Sequence, residues 1–151
     1  MDINIEMIPS CKIAYIRRTG PYGSENVQIM EQLKNWAREN KLFNENSIIL
    51  GIAQDNPQFT EPKDCRYDTC LVVSDEFKVD NNYINFGTTT GGKYCVFKIS
   101  HTVEAMQKAW IEVFSELSKR NYKFDDTRPI LERYAMQMIN KHYCEICVPI
   151  L

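Results

Sequence analysis

The chain has 151 residues, 44% of them hydrophobic and 25% charged, with a formal net charge of −2. Those values describe a globular chain of ordinary domain size, able to bury a core without disulfide or metal staples, and they exclude a disordered tail. They also argue against a protein that grips phosphate backbones: the longest basic clusters are the pairs Arg17-Arg18 and Lys119-Arg120, and such affinity needs a broad basic footprint.

The opening residues MDINIEMIPSCK carry no basic segment ahead of an apolar run, so they do not read as a signal peptide. No stretch reaches the ~18 apolar residues of a membrane span. The expectation is a cytoplasmic protein without a membrane or direct nucleic-acid partner, whose six cysteines are reduced thiols.

In chain order, Lys12 to Arg18 is short and β-rich. Gly20-Pro21-Tyr22-Gly23 breaks the chain before a helix expected from about Ser24 to Lys41, with Ile29, Leu33 and Trp36 on its apolar face and Val27, Met30 and Ala37 beside them. Ser47 to Ala53 is an apolar strand, and Arg66 to Ser74 follows a loop containing Asn56-Pro57 and Glu61-Pro62. A short strand is allowed near Tyr83 to Thr89, and Gly91-Gly92 leads into the strand Lys93 to Ile99. Val103, Met106, Trp110, Val113 and Leu117 recur at three- and four-residue spacings, which marks a second amphipathic helix. Thr102 stands at its N-cap, and Lys119 and Arg120 lie where the dipole favours cations. Strands over Pro129 to Met136 and Cys144 to Ile150 complete the chain.

The order is strand, helix, strand, strand, twice over. Shifting the second half back by 77 positions lays Met106, Trp110 and Val113 on Ile29, Leu33 and Trp36, and Glu145-Ile146-Cys147-Val148 on Asp68-Thr69-Cys70-Leu71. One domain over 1–151 is expected, built from pseudo-repeats of about 1–77 and 78–151. Neither half buries its own apolar face. Joined, they predict an α+β fold: duplicated β-α-β-β modules forming one antiparallel sheet, two helices on one face, and a ligand groove at the pseudo-twofold.

Glu132 is out of keeping with its surroundings. Strand alternation puts Ile130, Glu132, Tyr134, Met136 and Met138 on one face and Leu131, Arg133, Ala135 and Gln137 on the other. A carboxylate on the more apolar face is costly unless paired. It is either a structural ion-pair partner or the base of a groove awaiting a cation, which aromatic walls would also attract. Tyr67, Trp110, Trp36, Tyr15, Phe59 and Tyr134 are candidate walls, with Met106 and Met30 as adaptable filler, although core packing is the commoner role of each residue type.

Other chemistry is not supported. Cys144 and Cys147 form a C-x-x-C spacing, but an offset of three on a strand points the sulfurs to opposite faces, and Cys65 and Cys70 make a poor second ligand pair. The cysteines read as small hydrophobes. His101 and His142 belong to no recognisable nucleophile system. The stretch 87–92 (GTTTGG) lacks the lysine and following helix of a phosphate loop. No metal and no cofactor is implied.

Several stretches together resemble the GyrI-like effector-binding domains. They are Ala14-Tyr15-Ile16-Arg17-Arg18-Thr19-Gly20-Pro21-Tyr22-Gly23; Gly51-Ile52-Ala53-Gln54-Asp55-Asn56-Pro57 followed by Cys65-Arg66-Tyr67-Asp68-Thr69-Cys70; Gly91-Gly92-Lys93-Tyr94-Cys95-Val96-Phe97; Pro129-Ile130-Leu131-Glu132-Arg133-Tyr134; and the ending Cys147-Val148-Pro149-Ile150. The resemblance implies paired strand–helix–strand–strand modules around a central groove. In members attached to AraC-type or MerR-type regulators the domain senses effectors, often lipophilic cations, and the motif places the binding glutamate at Glu132 with Tyr134 beside it. This chain has no room for a helix-turn-helix, so a stand-alone domain is expected. Stand-alone relatives include gyrase inhibitors, drug-sequestering proteins and hydrolases of strained electrophiles, and fold does not choose among them. The leading expectation is a module that binds a hydrophobic, cationic small molecule for sensing or sequestration. The alternatives are a hydrolase in which Glu132 acts as general base with Tyr134 or Tyr67 as proton donor, and a protein-binding module whose partner is a regulator or gyrase.

Overall fold

The computed structural model describes residues 2–23, 25–56, 58–77 and 83–151. Its elements run β1 (Asp2–Ile8), β2 (Lys12–Thr19), α1 (Asn26–Glu39), β3 (Ile48–Ala53), β4 (Arg66–Val73), β5 (Asn85–Thr88), β6 (Gly92–Ser100), α2 (Val103–Lys119), β7 (Leu131–Ala135), α3 (Met136–Ile139) and β8 (Tyr143–Pro149), with a 3₁₀ turn over Pro62–Asp64. All the strands join one antiparallel eight-stranded sheet in the order β1-β6-β8-β7-β3-β4-β2-β5.

That order repeats about its middle. From the centre outwards, β7-β8-β6-β1 on one side answers β3-β4-β2-β5 on the other. The pseudo-twofold therefore falls between β3 and β7, where Gly51 pairs with Glu132. Each half contributes four strands rather than three: β1, which the sequence-based expectation lacks, leads the first half, and β5, in the short strand allowed near Tyr83 to Thr89, leads the second. The signal of β1 is the alternation of Ile3 and Ile5 with Asp2, Asn4 and Glu6. The halves also exchange their leading strands: β1 pairs with β6 of the second half, and β5 with β2 of the first. The boundary expected after residue 77 abuts 78–82, outside the described residues. The same holds for Ser24 at the expected helix start and for Pro57 in the loop.

Helix α2 begins as its sequence dictates. Thr102 is extended, and its hydroxyl accepts from the Ala105 backbone N–H, satisfying one of the amides that a helix start leaves unpaired. Ala109, Val113 and Leu117 are buried, with Met106 and Trp110 packed against the same cluster over Cys95, Phe97, Cys144, Ile146 and Val148. Val103, assigned to the apolar face, is instead exposed, because the first helical turn overhangs the core. Helix α1 buries Leu33, Trp36 and Ala37 against Ala14, Ile16, Ile49 and Leu71, while Val27 faces solvent.

The opposite sheet face has its own apolar cluster, with Ile13, Leu50, Ile52, Cys70, Val96, Leu131 and Cys147. Residues matched by the 77-position shift keep the same face: Cys70 and Cys147 lie here, Leu71 and Val148 beneath the helices. Cys144 lies beneath α2 and Cys147 on the far face, so the C-x-x-C sulfurs diverge. On this far face Arg133 bridges Glu145 and Glu6, each at 2.8 Å, tying β7 to β8 and to the edge strand β1.

The strand expected through Met136 stops at Ala135. Met136–Ile139 turns as α3, with the Met136 amide donating to Ser47 O at 2.9 Å. Met136 still packs with Tyr134 on the helix-side cluster, but from α3 and not from the strand, and Met138 likewise belongs to α3. Among the described residues no helix is long and apolar enough to cross a membrane.

Candidate functional site

Glu132 sits on β7 facing the helices, and it is 9% exposed. Three elements converge on its carboxylate. From β4, the Tyr67 hydroxyl donates to Oε1 at 2.5 Å; from α2, the Trp110 indole Nε1–H donates to Oε2 at 3.1 Å. From β7 itself, Tyr134 stands two residues along on the same face, and its hydroxyl also helps to hold the Glu132 pKa down. Burial acts more strongly and pushes that pKa above the ordinary glutamate value. No Lys or Arg appears among the described ion pairs of Glu132. Its neighbour Arg133, on the far face, takes two carboxylates instead. The result is a dry carboxylate satisfied in hydrogen bonds and uncompensated in charge, a costly state in a low-dielectric setting.

The site needs a gap in the sheet, and Gly51 supplies it. Gly51 pairs with Thr69 on one side and Glu132 on the other, so Tyr67 must pass over β3 to reach the carboxylate. A Cβ on Gly51 would collide with the Tyr67 hydroxyl and stand 2.8 Å from Glu132 Oε1. Glycine inside an apolar strand signals such a close approach. Gly51 is the one glycine in the apolar run Ser47 to Ala53, which is the signal of this role in the sequence, although it was not among the candidate site residues.

The aromatic environment fixes the protonation states. Burial and the adjacent carboxylate raise the phenol pKa values of Tyr67 and Tyr134 well above the usual tyrosine range, so both remain hydrogen-bond donors. The Cys144 thiol is pushed up to about 12, by burial first and then by Glu132 and Glu145, which keeps it a thiol and a poor nucleophile. The His101 and Tyr134 rings meet in a T-shaped arrangement, with centroids 5.7 Å apart. Burial, then Lys34 and His142, hold the His101 pKa below its ordinary value.

Of the candidate residues, Glu132, Tyr67, Trp110 and Tyr134 are brought together. Met106 packs on the same cluster as Trp110 and Tyr134. Trp36 is 1% exposed within the first-half core, against Phe77 at 6.1 Å, and is not among the described hydrogen-bond donors to Glu132. Tyr15 lies on the far face of the sheet, packed with Leu50 and Cys70, under the Arg17 guanidinium at 5.7 Å. Phe59 is 87% exposed in the turn after β3. Tyr15 and Phe59 are thus not gathered about Glu132: Tyr15 lies on the opposite face of the sheet, and a loop carries Phe59. Among the described residues no cluster of three or more His, Cys, Asp or Glu could hold a metal ion.

The duplicated strand–helix–strand–strand modules form an α+β fold, one antiparallel sheet with its two long helices on one face. The GyrI-like small molecule binding domain matches residues 1–151. The chain belongs to that family. It is 44% identical over 151 residues to YosT, from the SPbeta prophage of Bacillus subtilis (strain 168), with 99% of each chain covered; that relative bears a provisional transcriptional-regulator name. Other relatives, in Cronobacter, Dickeya and Pectobacterium, are named DNA gyrase inhibitors. The same fold occurs in the C-terminal domain of EcmrR, with a TM-score of 0.78 at 14% identity, covering 99% of this chain and 97% of that one. In the EcmrR–DNA complex the chain spans 57% of the EcmrR chain. The fold recurs in SAV2435 bound to tetraphenylphosphonium, with a TM-score of 0.60 at 17% identity, covering 100% of this chain and 94% of that one.

Proposed function

We propose that the chain binds lipophilic organic cations in the groove between α1 and α2, with Glu132 as the counter-charge, and that it works as a sensor or sequestering module. The observation that carries this reading is the Glu132 carboxylate, buried among neutral donors with no basic partner among the described ion pairs. An incoming cation supplies the missing compensation, and the flat faces of Trp110 and Tyr134 favour a delocalised or aryl-substituted one. Met106 gives the wall adaptability. The tetraphenylphosphonium complex of SAV2435, which shares the fold, is of the same ligand class.

The hydrolase alternative asks Tyr67 or Tyr134 to give up a proton. Their raised pKa values make both poor acids near neutrality, where efficient proton donors have pKa values close to the working pH. The binding reading is therefore preferred.

Thermal shift and calorimetry test it with tetraphenylphosphonium and its neutral counterpart of similar shape, triphenylphosphine oxide. At 100 times Kd a ligand stabilises by about 2.7 kcal/mol, or roughly 5–11 °C for a chain of this size. Glu132→Gln should weaken the cation about 10-fold or more and leave the oxide nearly unchanged, since a close, desolvated charge pair couples by about 1.5 kcal/mol or more. Equal weakening of both would refute the charge-pairing role.

A further inference from the structure

We propose that Thr69 is a positioning residue of this site: its hydroxyl accepts the Tyr67 hydroxyl when a cation takes Glu132, so it sets cation affinity without touching the ligand. The inference rests on the cation-binding reading of Glu132 and adds a second position for Tyr67 to it.

Thr69 is a polar residue in an apolar place. One row of paired residues crosses the sheet as Ile16, Thr69, Gly51, Glu132, Ile146 and Phe97. Paired residues share a sheet face, and this row faces the helices: Ile16 lies in the α1-side cluster, Ile146 and Phe97 in the α2-side cluster. Thr69 and Glu132 are its two polar side chains, and only a glycine separates them. The 77-position shift lays Ile146 on Thr69, so the second half has a hydrocarbon where the first half has a hydroxyl. Thr69 is 0% exposed, and its Oγ1 has no hydrogen-bond partner among the described residues. A buried hydroxyl left unpaired is costly, and valine has the same shape without that cost. Packing alone gives no reason for a threonine here.

The Tyr67 hydroxyl is the group that can answer it. Tyr67 and Thr69 stand two residues apart on the same face of β4, about 7 Å along the strand. Tyr67 crosses β3 at Gly51 to donate to Glu132 Oε1 at 2.5 Å, and at Gly51 no Cβ obstructs its hydroxyl. The carboxylate is 9% exposed, with Oε1 held by Tyr67 and Oε2 by Trp110. A cation meets Oε1 directly once the Tyr67 hydroxyl gives way. Moving that hydroxyl to donate to Thr69 Oγ1 opens Oε1, keeps the phenol hydrogen-bonded and satisfies the threonine. Ile146, the counterpart of Thr69 beside Glu132 on β8, offers no such acceptor.

The test is calorimetry with tetraphenylphosphonium, and triphenylphosphine oxide as neutral control, on wild type, Thr69→Val, Thr69→Ser, Tyr67→Phe and the Tyr67→Phe/Thr69→Val double variant. Tetraphenylphosphonium has no hydrogen-bonding group, so a Thr69 effect on it is not a direct contact. Thr69→Val should weaken the cation about 5-fold, as the loss of one net hydrogen bond predicts, and leave the oxide within about 2-fold. Thr69→Ser, which keeps the hydroxyl, should bind the cation within about 2-fold of wild type. In the Tyr67→Phe background Thr69→Val should have no effect on the cation, because no phenol hydroxyl remains to be received. The free Thr69→Val protein should melt about 2–4 °C above wild type, since the unpaired hydroxyl is gone. Unchanged cation affinity in Thr69→Val, an equal loss for cation and oxide, the same loss in the Tyr67→Phe background, or a lower melting point of the free protein overturns the role of Thr69 and leaves the cation reading standing. If tetraphenylphosphonium does not bind, or binds Glu132→Gln as tightly as wild type, the cation reading falls and the Thr69 inference falls with it.

Discussion

Replacing Tyr67 by Phe removes one hydroxyl and keeps the ring that lies over Gly51. The lost contact is the 2.5 Å bond to Glu132 Oε1, in a site where the carboxylate has the Trp110 bond at 3.1 Å as its other strong donor. While Glu132 is ionised, such a charge-assisted bond contributes about 1.5–3 kcal/mol; to the protonated carboxyl it contributes about 0.5–1.5 kcal/mol. The cost of Tyr67→Phe must therefore grow with pH. Burial raises the folded-state pKa of Glu132, so its contribution to stability is fully present below the unfolded value of about 4.3 and is lost as pH rises through the folded value. Tyr67 pulls that folded value down; without it the value climbs and the loss continues to higher pH. Near pH 8 the variant should melt about 3–12 °C below wild type, at roughly 2–4 °C per kcal/mol, and the gap should narrow near pH 4. In a Glu132→Gln background the pH dependence should vanish. Denaturant and thermal melts at both pH values with all four proteins complete a double-mutant cycle. The same gap at pH 4 and pH 8, or no coupling between the two substitutions, would refute the account of Glu132 as a buried carboxylate held by phenol donation.

Gly51→Ala places a methyl group against the Tyr67 hydroxyl and 2.8 Å from Glu132 Oε1. Overpacking should cost about 1–3 kcal/mol in urea melts and abolish Glu132-dependent cation binding, and an unchanged site would contradict the geometry. Arg133→Met removes the shared partner of Glu6 and Glu145. It should be among the most damaging single changes outside the core, at about 3–5 kcal/mol, with partial rescue by Glu145→Gln. Thr102→Ala deletes the cap of α2 and should cost about 0.5–2 kcal/mol, with the ratio of cation to neutral-ligand affinity preserved in the same calorimetric assay.

The parts of the fold legible in the sequence were those written in short-range periodicity. The three-and-four spacing of Met106, Trp110, Val113 and Leu117, and the cap at Thr102, define α2 without reference to the rest of the chain, because a helix satisfies its own hydrogen bonds. Alternation along β7 likewise put Glu132 and Tyr134 on one face and Arg133 on the other, since successive side chains of a strand must diverge. Those local rules also put the C-x-x-C sulfurs on opposite faces, and they miss where local signals compete: Met136 leaves the strand for α3 once its amide pairs with Ser47.

Pairing between distant segments is another matter, because a strand's hydrogen bonds are made elsewhere in the chain. Nothing local tells β1 to join β6 or β5 to join β2. Nor does anything local bring Gly51 beside Glu132, lead Tyr67 across β3 to its carboxylate, or set Tyr15 on the far face. By itself the sequence determined the two long helices, most of the strands and a glutamate of awkward placement. The register of β3 against β7, which only the tertiary structure decided, puts that glutamate at the pseudo-twofold, where three elements supply neutral donors and no cation.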